Sequence, residues 1–144
     1  MQQGYDYIGN AVTTFCHDGN GRCLLGLRSD KCRDEHGRWD PIGSGGIEVG
    51  DTIEDTVHRE VKEECGSEVV AMEFLGHREV FREQNGTKTH WIQFDFKVQV
   101  NPDQVRIMEP EKCLALEWYT LDALPEPMHS QFPTFLEKYK DKLI

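Results

Sequence analysis

Two short stretches decide the fold: residues 45–51 read GGIEVGD, and residues 59–66 read REVKEECG. The first is a glycine-rich turn, in which glycine tolerates positive φ and lets the backbone approach its neighbours closely. The second belongs to a predicted helix that carries Glu60, Glu63 and Glu64. Three carboxylates so close in sequence repel each other unless a cation lies between them, and hard divalent cations prefer oxygen ligands. The segment therefore predicts a metal site.

Helical periodicity places these acidic residues on one side. At about 100° per residue, the three glutamates share an arc of roughly 100°. The adjoining arc is apolar and can pack on a sheet; it contains Val57, Val61 and Cys65. A solvated acidic face is the alternative, but like charges four residues apart destabilise a helix, and that reading leaves the glycine turn unexplained.

The same helix has recognisable ends and an arginine beside its acids. Asp51 or Thr52 is the expected N-cap, and Gly66 is the expected residue after the C-terminus. Arg59 lies one helical turn from Glu63, where a planar guanidinium can orient a carboxylate. The helix therefore brings together both the acids and a group that positions them.

The spacing resembles the Nudix box, written G-x5-E-x7-R-E-U-x-E-E-x-G-U with U aliphatic, over about residues 45–67. Seven of its nine fixed positions match, namely Gly45, Arg59, Glu60, Val61, Glu63, Glu64 and Gly66. Two positions depart from the pattern. Asp51 stands where the family has Glu, a carboxylate that buttresses the arginine or helps to hold metal, and Ser67 replaces an aliphatic residue.

This resemblance implies a fold and a reaction. The fold is an α/β/α sandwich with a mixed sheet, and we expect residues 1–144 to form one domain. The reaction is Mg²⁺-dependent hydrolysis of a nucleoside diphosphate linked to X, with Mn²⁺ as an alternative metal. The family implies metal ligation by Glu60, Glu63 and Glu64, with the carbonyl of Ser44 or Gly45 as a further ligand. It implies a catalytic set of Arg59, Glu60, Glu63 and Glu64, in which Glu63 or a later acid is the base.

The C-terminal half adds a second, narrower resemblance. Residues 109–113 read EPEKC, and Glu117-Trp118 and residues 121–125 follow in a pattern similar to MutT-type Nudix enzymes. These enzymes act on nucleoside triphosphates, which favours conversion of a (deoxy)nucleoside triphosphate to the monophosphate and pyrophosphate. Family members often add an acid from a later loop as metal ligand or base. Glu109 and Glu111 are the candidates, and we assign Glu111 to the metal; a polar loop is the alternative role.

Cations and aromatic residues outside the box suggest where substrate binds. Residues 29–38 form a charged loop predicted near the site, and Arg28, Lys31 and Arg33 suit phosphate groups. A base can stack on an aromatic ring, and the candidates are Tyr5, Tyr7, Trp39, Phe81 and Trp91. Packing in the core or on the sheet is the alternative for each ring. We assign substrate binding to Arg28, Arg33, Trp39 and Phe81, and no metal-binding role to any histidine.

Composition narrows the class of protein. The 144 residues suit a single core, and a net charge of −10 argues against non-specific binding to duplex nucleic acid. Five widely spaced cysteines, without a C-x-x-C pair, favour free thiols in a reducing cytoplasm. No signal peptide or long apolar run is evident, so membrane association is not expected. The partner is a small nucleotide, and a homodimer is left open.

Two alternative functions stay open. The first is cleavage of ADP-ribose or another nucleotide sugar, which the loop of residues 29–38 would also serve. The second is a non-catalytic Nudix module that only binds a nucleotide. The complete set of Arg59, Glu60, Glu63 and Glu64 argues against the second alternative, because degenerate modules usually lose those acids.

The remaining elements follow from local patterns. Alternating and β-branched runs predict strands at residues 7–17, 22–28, 39–42, 68–83, 88–100 and 113–119. Asn85-Gly86 predicts a tight hairpin between two of them. A terminal helix is predicted over residues 130–143, with an apolar face that covers the sheet; this face contains Phe132, Phe135, Leu136 and Tyr139.

Overall fold

Side chains alternate between the two faces of the strands, so that one sheet has two apolar surfaces to cover. The computed structural model describes residues 1–143. The elements follow in the order β1 (Gly9–His17), β2 (Arg22–Arg28), β3 (Trp39–Pro41), β4 (Gly45–Gly46), α1 (Ile53–Cys65), β5 (Val69–Gln84), β6 (Thr87–Val100), a 3₁₀ turn (Pro102–Gln104), β7 (Cys113–Thr120) and α2 (Phe132–Tyr139).

The sheet is mixed, as predicted. The order β3-β2-β1-β6-β5 runs across it, while β4 pairs with β1 and β7 pairs with β2. β1 and β6 are parallel, with Thr13 opposite Asp95, whereas the other strand pairs are antiparallel. β6 pairs with β1 along Gly9–His17, so the glycine strand β4, which pairs with Ala11 and Val12, lies on the opposite edge of β1 from the hairpin β5–β6.

The two faces of the sheet carry separate apolar cores, one under each helix. Buried residues of α1 pack with one face, in a cluster that contains Val12, Cys16, Leu24, Val57, Val61, Cys65, Phe96 and Val98. The opposite face packs with α2, in a cluster that contains Phe15, Cys23, Leu25, Leu75, Phe132, Phe135 and Tyr139. The α/β/α sandwich is thereby confirmed, and each helix buries the apolar stripe that its sequence predicts.

The ends of α1 agree with the sequence. Thr52 is the N-cap: its hydroxyl accepts from the Asp55 N–H, and the Asp55 carboxylate accepts from the Thr52 N–H. This reciprocal pair is a capping box, and it leaves Asp51 outside the helix. Gly66 closes the helix at φ 79° with its N–H donating to the Lys62 carbonyl, which is the left-handed cap that glycine favours.

Both ends of the chain differ from the prediction for a tertiary reason. β1 begins at Gly9 rather than at residue 7, because residues 2–7 form turns that pack on Trp91. α2 begins only at Phe132, because His129 donates its N–H to the Trp39 carbonyl and Ser130 donates to Glu35. The hairpin turn at Asn85-Gly86 is confirmed, with φ of 51° and 80°.

The five cysteines are free thiols, in agreement with the prediction. In residues 1–143, neither helix combines the length and the apolar character needed to cross a membrane.

Candidate active site

The glycine turn is built around the carboxyl group of Glu60. A Cβ atom added at Gly45 would lie 2.3 Å from the Glu60 carboxyl, so any side chain at position 45 would displace that carboxyl. Gly45 and Gly46 pair with Val12 and Ala11 of β1, so the turn is fixed to the central sheet. Glycine at position 45 therefore creates the space in which the glutamate lies.

The three glutamates of α1 differ in exposure. The Glu60 side chain is 12% exposed, whereas the Glu63 side chain is 55% exposed. Glu64 is half-buried and hydrogen-bonded to Glu60, and it accepts a hydrogen bond from the Gly43 N–H. Glu60 and Glu64 thus form a buried pair, while Glu63 reaches solvent beside it.

Burial and mutual repulsion raise the pKa of both paired acids. Desolvation is the main cause for Glu64, whose pKa lies well above the ordinary value, and the charge of Glu60 adds to it. Desolvation also raises the pKa of Glu60, although hydrogen bonds from Glu64 and Arg59 oppose that rise. Glu64 is therefore the member of the pair that holds a proton more tightly.

Arg59 lies at the centre of the acidic group. Its Nη1 is 2.8 Å from Glu60, 3.8 Å from Glu48 and 4.0 Å from Glu63, and its Nη2 donates to the Gly46 carbonyl. The Nε atom is buried and has no hydrogen-bond partner among the described residues. The nearest carboxylate to Nε is Asp51, at 3.6 Å. Asp51 is one methylene shorter than the glutamate that the Nudix box has at this position, and its carboxylate stops short of hydrogen-bond distance from Nε.

A cavity of about 710 Å³ opens over these carboxylates, and we call it the carboxylate cavity. Its lining includes the acids Asp40, Glu48, Glu60, Glu63, Glu64 and Glu109 and the cations Arg28, Lys31, Arg33, Arg59 and Lys112. Arg33 lies near Asp34, whose pKa its charge helps to lower. The cavity thus brings several cations and several acids together.

A second cavity of about 320 Å³ joins the first, and we call it the aromatic cavity. Its rings are Tyr5, Trp91, Phe132 and Phe135, and its polar groups include Thr13, Asp34, Asp40, Arg78, Thr89, Gln93 and Gln131. The two cavities share Arg28, Arg33, Asp40, Pro41 and Ser44. A ligand with an apolar ring and an anionic tail therefore fits the pair better than it fits either cavity alone.

The structure places two of the four residues predicted to bind substrate in the cavities. Arg28 and Arg33 line both cavities. Trp39 lines neither, because it packs edge-on against Tyr119 at 5.4 Å between ring centres. Phe81 also lies outside both; it is 66% exposed and stacks on His90.

Of the two acids predicted from the later loop, one lines the carboxylate cavity and the other lies outside it. Glu109 lines the carboxylate cavity, and its charge contributes to raising the pKa of Glu64. Glu111 is exposed outside the cavity, and its main-chain carbonyl accepts from the Ser29 hydroxyl. The structure therefore favours Glu109 over Glu111 as the acid that approaches the box.

Sequence reasoning did not select Asp40 or Arg78. Asp40 is a single acid between Trp39 and Pro41, and its position just before the glycine turn was the available signal. Arg78 lies in β5 and is buried against Asp95 at 2.7 Å, a pairing between distant residues that no local pattern reveals.

The donor set fits a divalent cation, although none of the described residues forms a preassembled cluster of three His, Cys, Asp or Glu ligands. Glu60 is occupied by Arg59 and by Glu64 in this arrangement. The available atoms are carboxylate and carbonyl oxygens, which suit Mg²⁺ or Mn²⁺. The space that Gly45 leaves beside Glu60 and the repulsion between the paired acids both favour a cation there.

Comparison with known proteins agrees with this geometry. A family model described as NUDIX domain matches residues 8–139. The NAD-capped RNA hydrolase NudC of Pseudomonas aeruginosa (strain LESB58) is 31% identical over 88 residues, which cover 61% of this chain and 29% of NudC. Putative nudix hydrolase 1 of Caenorhabditis elegans is 31% identical over 125 residues, 86% of this chain and 31% of that protein. The chain spans less than a third of the length of these relatives.

Solved structures share the fold. The MutT NUDIX hydrolase from Burkholderia pseudomallei superposes with a TM-score of 0.80 at 26% identity, covering 92% of this chain and 98% of that chain. The NUDIX domain of Shewanella oneidensis NrtR, solved with ADP ribose, gives a TM-score of 0.75 at 18% identity, covering 97% and 91%. The second likeness shows the fold alone. Since the family model extends from the first strand to the last helix and the box residues meet in one site, the chain belongs to the Nudix hydrolase family.

Proposed function

We propose that this protein is a Mg²⁺-dependent pyrophosphohydrolase that converts a (deoxy)nucleoside triphosphate to the monophosphate and pyrophosphate. The observation that carries the proposal is the junction of the two cavities. The carboxylate cavity offers acids for metal and cations for phosphate, and the aromatic cavity offers rings for a base. A volume of about 320 Å³ lies at the lower end of the range for small-ligand sites.

The proposed metal ligands are Glu60, Glu63 and Glu64, with the main-chain carbonyl of Ser44 or Gly45. A divalent cation held by these residues would neutralise phosphate oxygens and activate water. Glu64 must be ionised before both paired acids can serve as ligands. Its raised pKa opposes that ionisation, and the charge of a bound cation would offset the opposition, because an opposite charge favours the ionised form.

Arg59 acts as a positioning residue in this scheme. It holds the Glu60 carboxylate at 2.8 Å and is itself anchored to the glycine turn through the Gly46 carbonyl. Arg33 and Lys31 are the proposed ligands of the outer phosphates, because both cations line the carboxylate cavity. Arg28 is less available, since it already donates to the Asp34 carboxylate at 3.0 Å.

Glu63 is the proposed general base, with Glu109 as the second candidate. Glu63 is exposed to the cavity and only loosely paired with Arg59, so a carboxylate oxygen stays free to accept a proton from water. Glu109 lines the same cavity and pairs weakly with Lys112 at 3.9 Å. Glu111 is not part of the proposal, because it lies outside the cavity.

Hydrolysis of a nucleoside diphosphate joined to a second group is the other candidate. NudC is named for NAD-capped RNA, a substrate of that type, and it is 31% identical to this chain over 88 residues. Against this candidate, the described cations at the carboxylate cavity suit a chain of phosphates. We propose the cytoplasm as the compartment, which the five free thiols support.

A panel assay tests the proposal. Purified protein is incubated with Mg²⁺ or Mn²⁺ and, separately, with each of the common (deoxy)nucleoside triphosphates, ADP-ribose and NAD, and the products are separated. We expect monophosphate and pyrophosphate from at least one triphosphate, with a higher kcat/KM than for ADP-ribose. Tenfold faster cleavage of ADP-ribose or NAD than of every triphosphate would favour the second candidate. Nucleotide binding without any turnover would identify a binding module instead.

A further inference from the structure

Asp40 lies at the junction of the two cavities, and its carboxyl group accepts no hydrogen bond from the described residues. It lines both of them, and β3 fixes its backbone opposite Gly26 of β2. Its nearest cation is Arg28 Nη1, at 3.7 Å, which is beyond hydrogen-bond distance. Among residues 1–143, neither oxygen of Asp40 has a hydrogen-bond partner.

Arg28 does not satisfy Asp40 because it is bound elsewhere. Its Nε donates to the Asp34 carbonyl at 3.1 Å, and its Nη2 donates to the Asp34 carboxylate at 3.0 Å. Asp34 also accepts from Arg82 at 2.9 Å. The strong donors of this region therefore bind Asp34, and the half-buried carboxyl of Asp40 is left facing the ligand space.

We propose that Asp40 reads the hydrogen-bonding edge of the nucleobase, and that its protonation state sets which base binds better. The ligand class in this inference rests on the proposed function. A protonated carboxyl offers one donor beside one acceptor, whereas a carboxylate offers two acceptors. The first pattern complements adenine, whose ring nitrogen accepts and whose amino group donates. The second complements guanine, which presents two donors on the same edge.

The groups around Asp40 are consistent with a change in its protonation near neutral pH. Burial raises its pKa to about 7, with Arg28 opposing the rise and Glu35 and Asp34 adding to it. The charged and titratable groups that face it are Arg28 of β2, Arg33, Asp34 and Glu35 of the loop, Arg78 and Arg82 of β5, and His129 before α2.

The other acids and the histidine named above do not titrate in the same range. The pKa of Asp34 and Glu35 is lowered, because neighbouring cations and hydrogen bonds outweigh their burial. Burial lowers the pKa of His129 to about 4. The arginines stay protonated throughout. Between pH 6 and pH 8, Asp40 is thus the member of this group whose charge changes.

Binding of AMP and GMP in EDTA, measured by calorimetry at pH 6, 7 and 8, tests the inference. Both nucleotides carry the same phosphate, so titration of the phosphate and of the box acids cancels in the ratio of their Kd values. We expect Kd(GMP)/Kd(AMP) to fall by about tenfold between pH 6 and pH 8, as a matched bidentate edge discriminates against the wrong base by at least that order.

Two variants separate base reading from a structural role. Asp40→Asn carries one donor and one acceptor at every pH, so it should keep the pH 6 preference for AMP throughout. Asp34→Asn is the matched control in the same cavity. It should preserve the change in the ratio but move its midpoint to lower pH, because Asp34 helps to raise the pKa of Asp40.

Three results would overturn the inference: a wild-type ratio that is constant with pH, an Asp40→Asn ratio that changes as in wild type, or no binding of either monophosphate. The measurement needs neither metal nor turnover. A protein that hydrolyses triphosphates but shows a constant ratio would lose this inference and keep the proposed function. A protein that shows the expected change in the ratio but no turnover would keep this inference and lose the proposed function.

Discussion

Two arginine–carboxylate groups, one between β5, β6 and α2 and the other on α1, differ in how completely their hydrogen-bonding groups are paired. Arg78 and Asp95 pair through Nε at 2.7 Å and Nη2 at 2.9 Å, and Tyr139 donates to the same carboxylate at 2.6 Å. The Asp95 side chain is fully buried. Every interaction here is between opposite charges or between donor and acceptor, so the group joins β5, β6 and α2 without need of a ligand.

The group around Arg59 has the opposite character. One guanidinium faces four carboxylates, namely Glu48, Asp51, Glu60 and Glu63, and its buried Nε has no hydrogen-bond partner in residues 1–143. Beside it, Glu60 and Glu64 form a hydrogen-bonded pair of acids, and the pKa of each is raised. Excess negative charge of this kind is unfavourable in the free protein, and it is the arrangement expected of a site that binds a cation. The incompletely paired group is thus the one at the predicted metal site, which supports the proposed function.

Neutralising the shared pair should give the largest effect. Glu64→Gln and Glu60→Gln are each expected to lower kcat by about 100-fold or more, because each removes a carboxylate proposed to bind the metal. Without metal, the melting temperature should be equal or higher, because a repulsive charge is gone. Circular dichroism at increasing temperature, with and without Mg²⁺, measures the second effect. Near-wild-type turnover in both variants would contradict the assignment of the site.

Breaking the satisfied pair should affect stability instead. Asp95→Asn leaves the Arg78 charge buried without its counter-ion, and this is expected to cost about 3–5 kcal/mol in the free energy of unfolding. Urea denaturation monitored by tryptophan fluorescence measures it. Adding Arg78→Met to Asp95→Asn removes the uncompensated charge and should recover part of the loss. A stability change as small as that of Glu60→Gln would erase the contrast between the two groups.

Asp40 belongs to neither group, and its effect on stability should depend on pH. Its pKa is raised to about 7 in the folded state, so the folded protein holds this proton more tightly than the unfolded chain. The resulting stabilisation is complete below about pH 4, the ordinary Asp range, and is lost as the pH rises towards 7. Asp40→Asn should therefore raise the melting temperature more at pH 8 than at pH 5. Equal changes at both values would show that Asp40 does not titrate in this range.

The smallest effect is expected at Asp51. Its carboxylate lies 3.6 Å from the unpaired Arg59 Nε, and one more methylene in Asp51→Glu allows a hydrogen bond worth about 1 kcal/mol. Asp51→Glu should raise stability and keep or raise activity a few-fold, whereas Asp51→Ala should lower activity. Glu54→Asp, an exposed change on the first turn of α1, is the matched control. If Asp51→Ala leaves turnover unaltered, position 51 has no role beyond the approach to the helix.

Much of the fold could be predicted from local sequence. The ends of α1 follow from Thr52 and Gly66, because capping depends on groups within a few residues. Its buried stripe follows from the 3.6-residue period, and the Asn85-Gly86 hairpin follows from glycine and asparagine tolerance of positive φ. The beginning of α2 was wrong by two residues, because hydrogen bonds from His129 and Ser130 to distant residues compete with the helix.

The same distinction applies to the site. The sequence by itself determined the arc of Glu60, Glu63 and Glu64 and the glycine beside it, because helix geometry fixes residues three and four apart on one face. Only the tertiary structure decided which distant residues join them. It placed Glu109 in the cavity and Glu111 outside, left Trp39 and Phe81 away from the ligand space, and brought Asp40 to the junction. Those positions depend on strand register and on competition between ion pairs, and neither is encoded within a short stretch of chain.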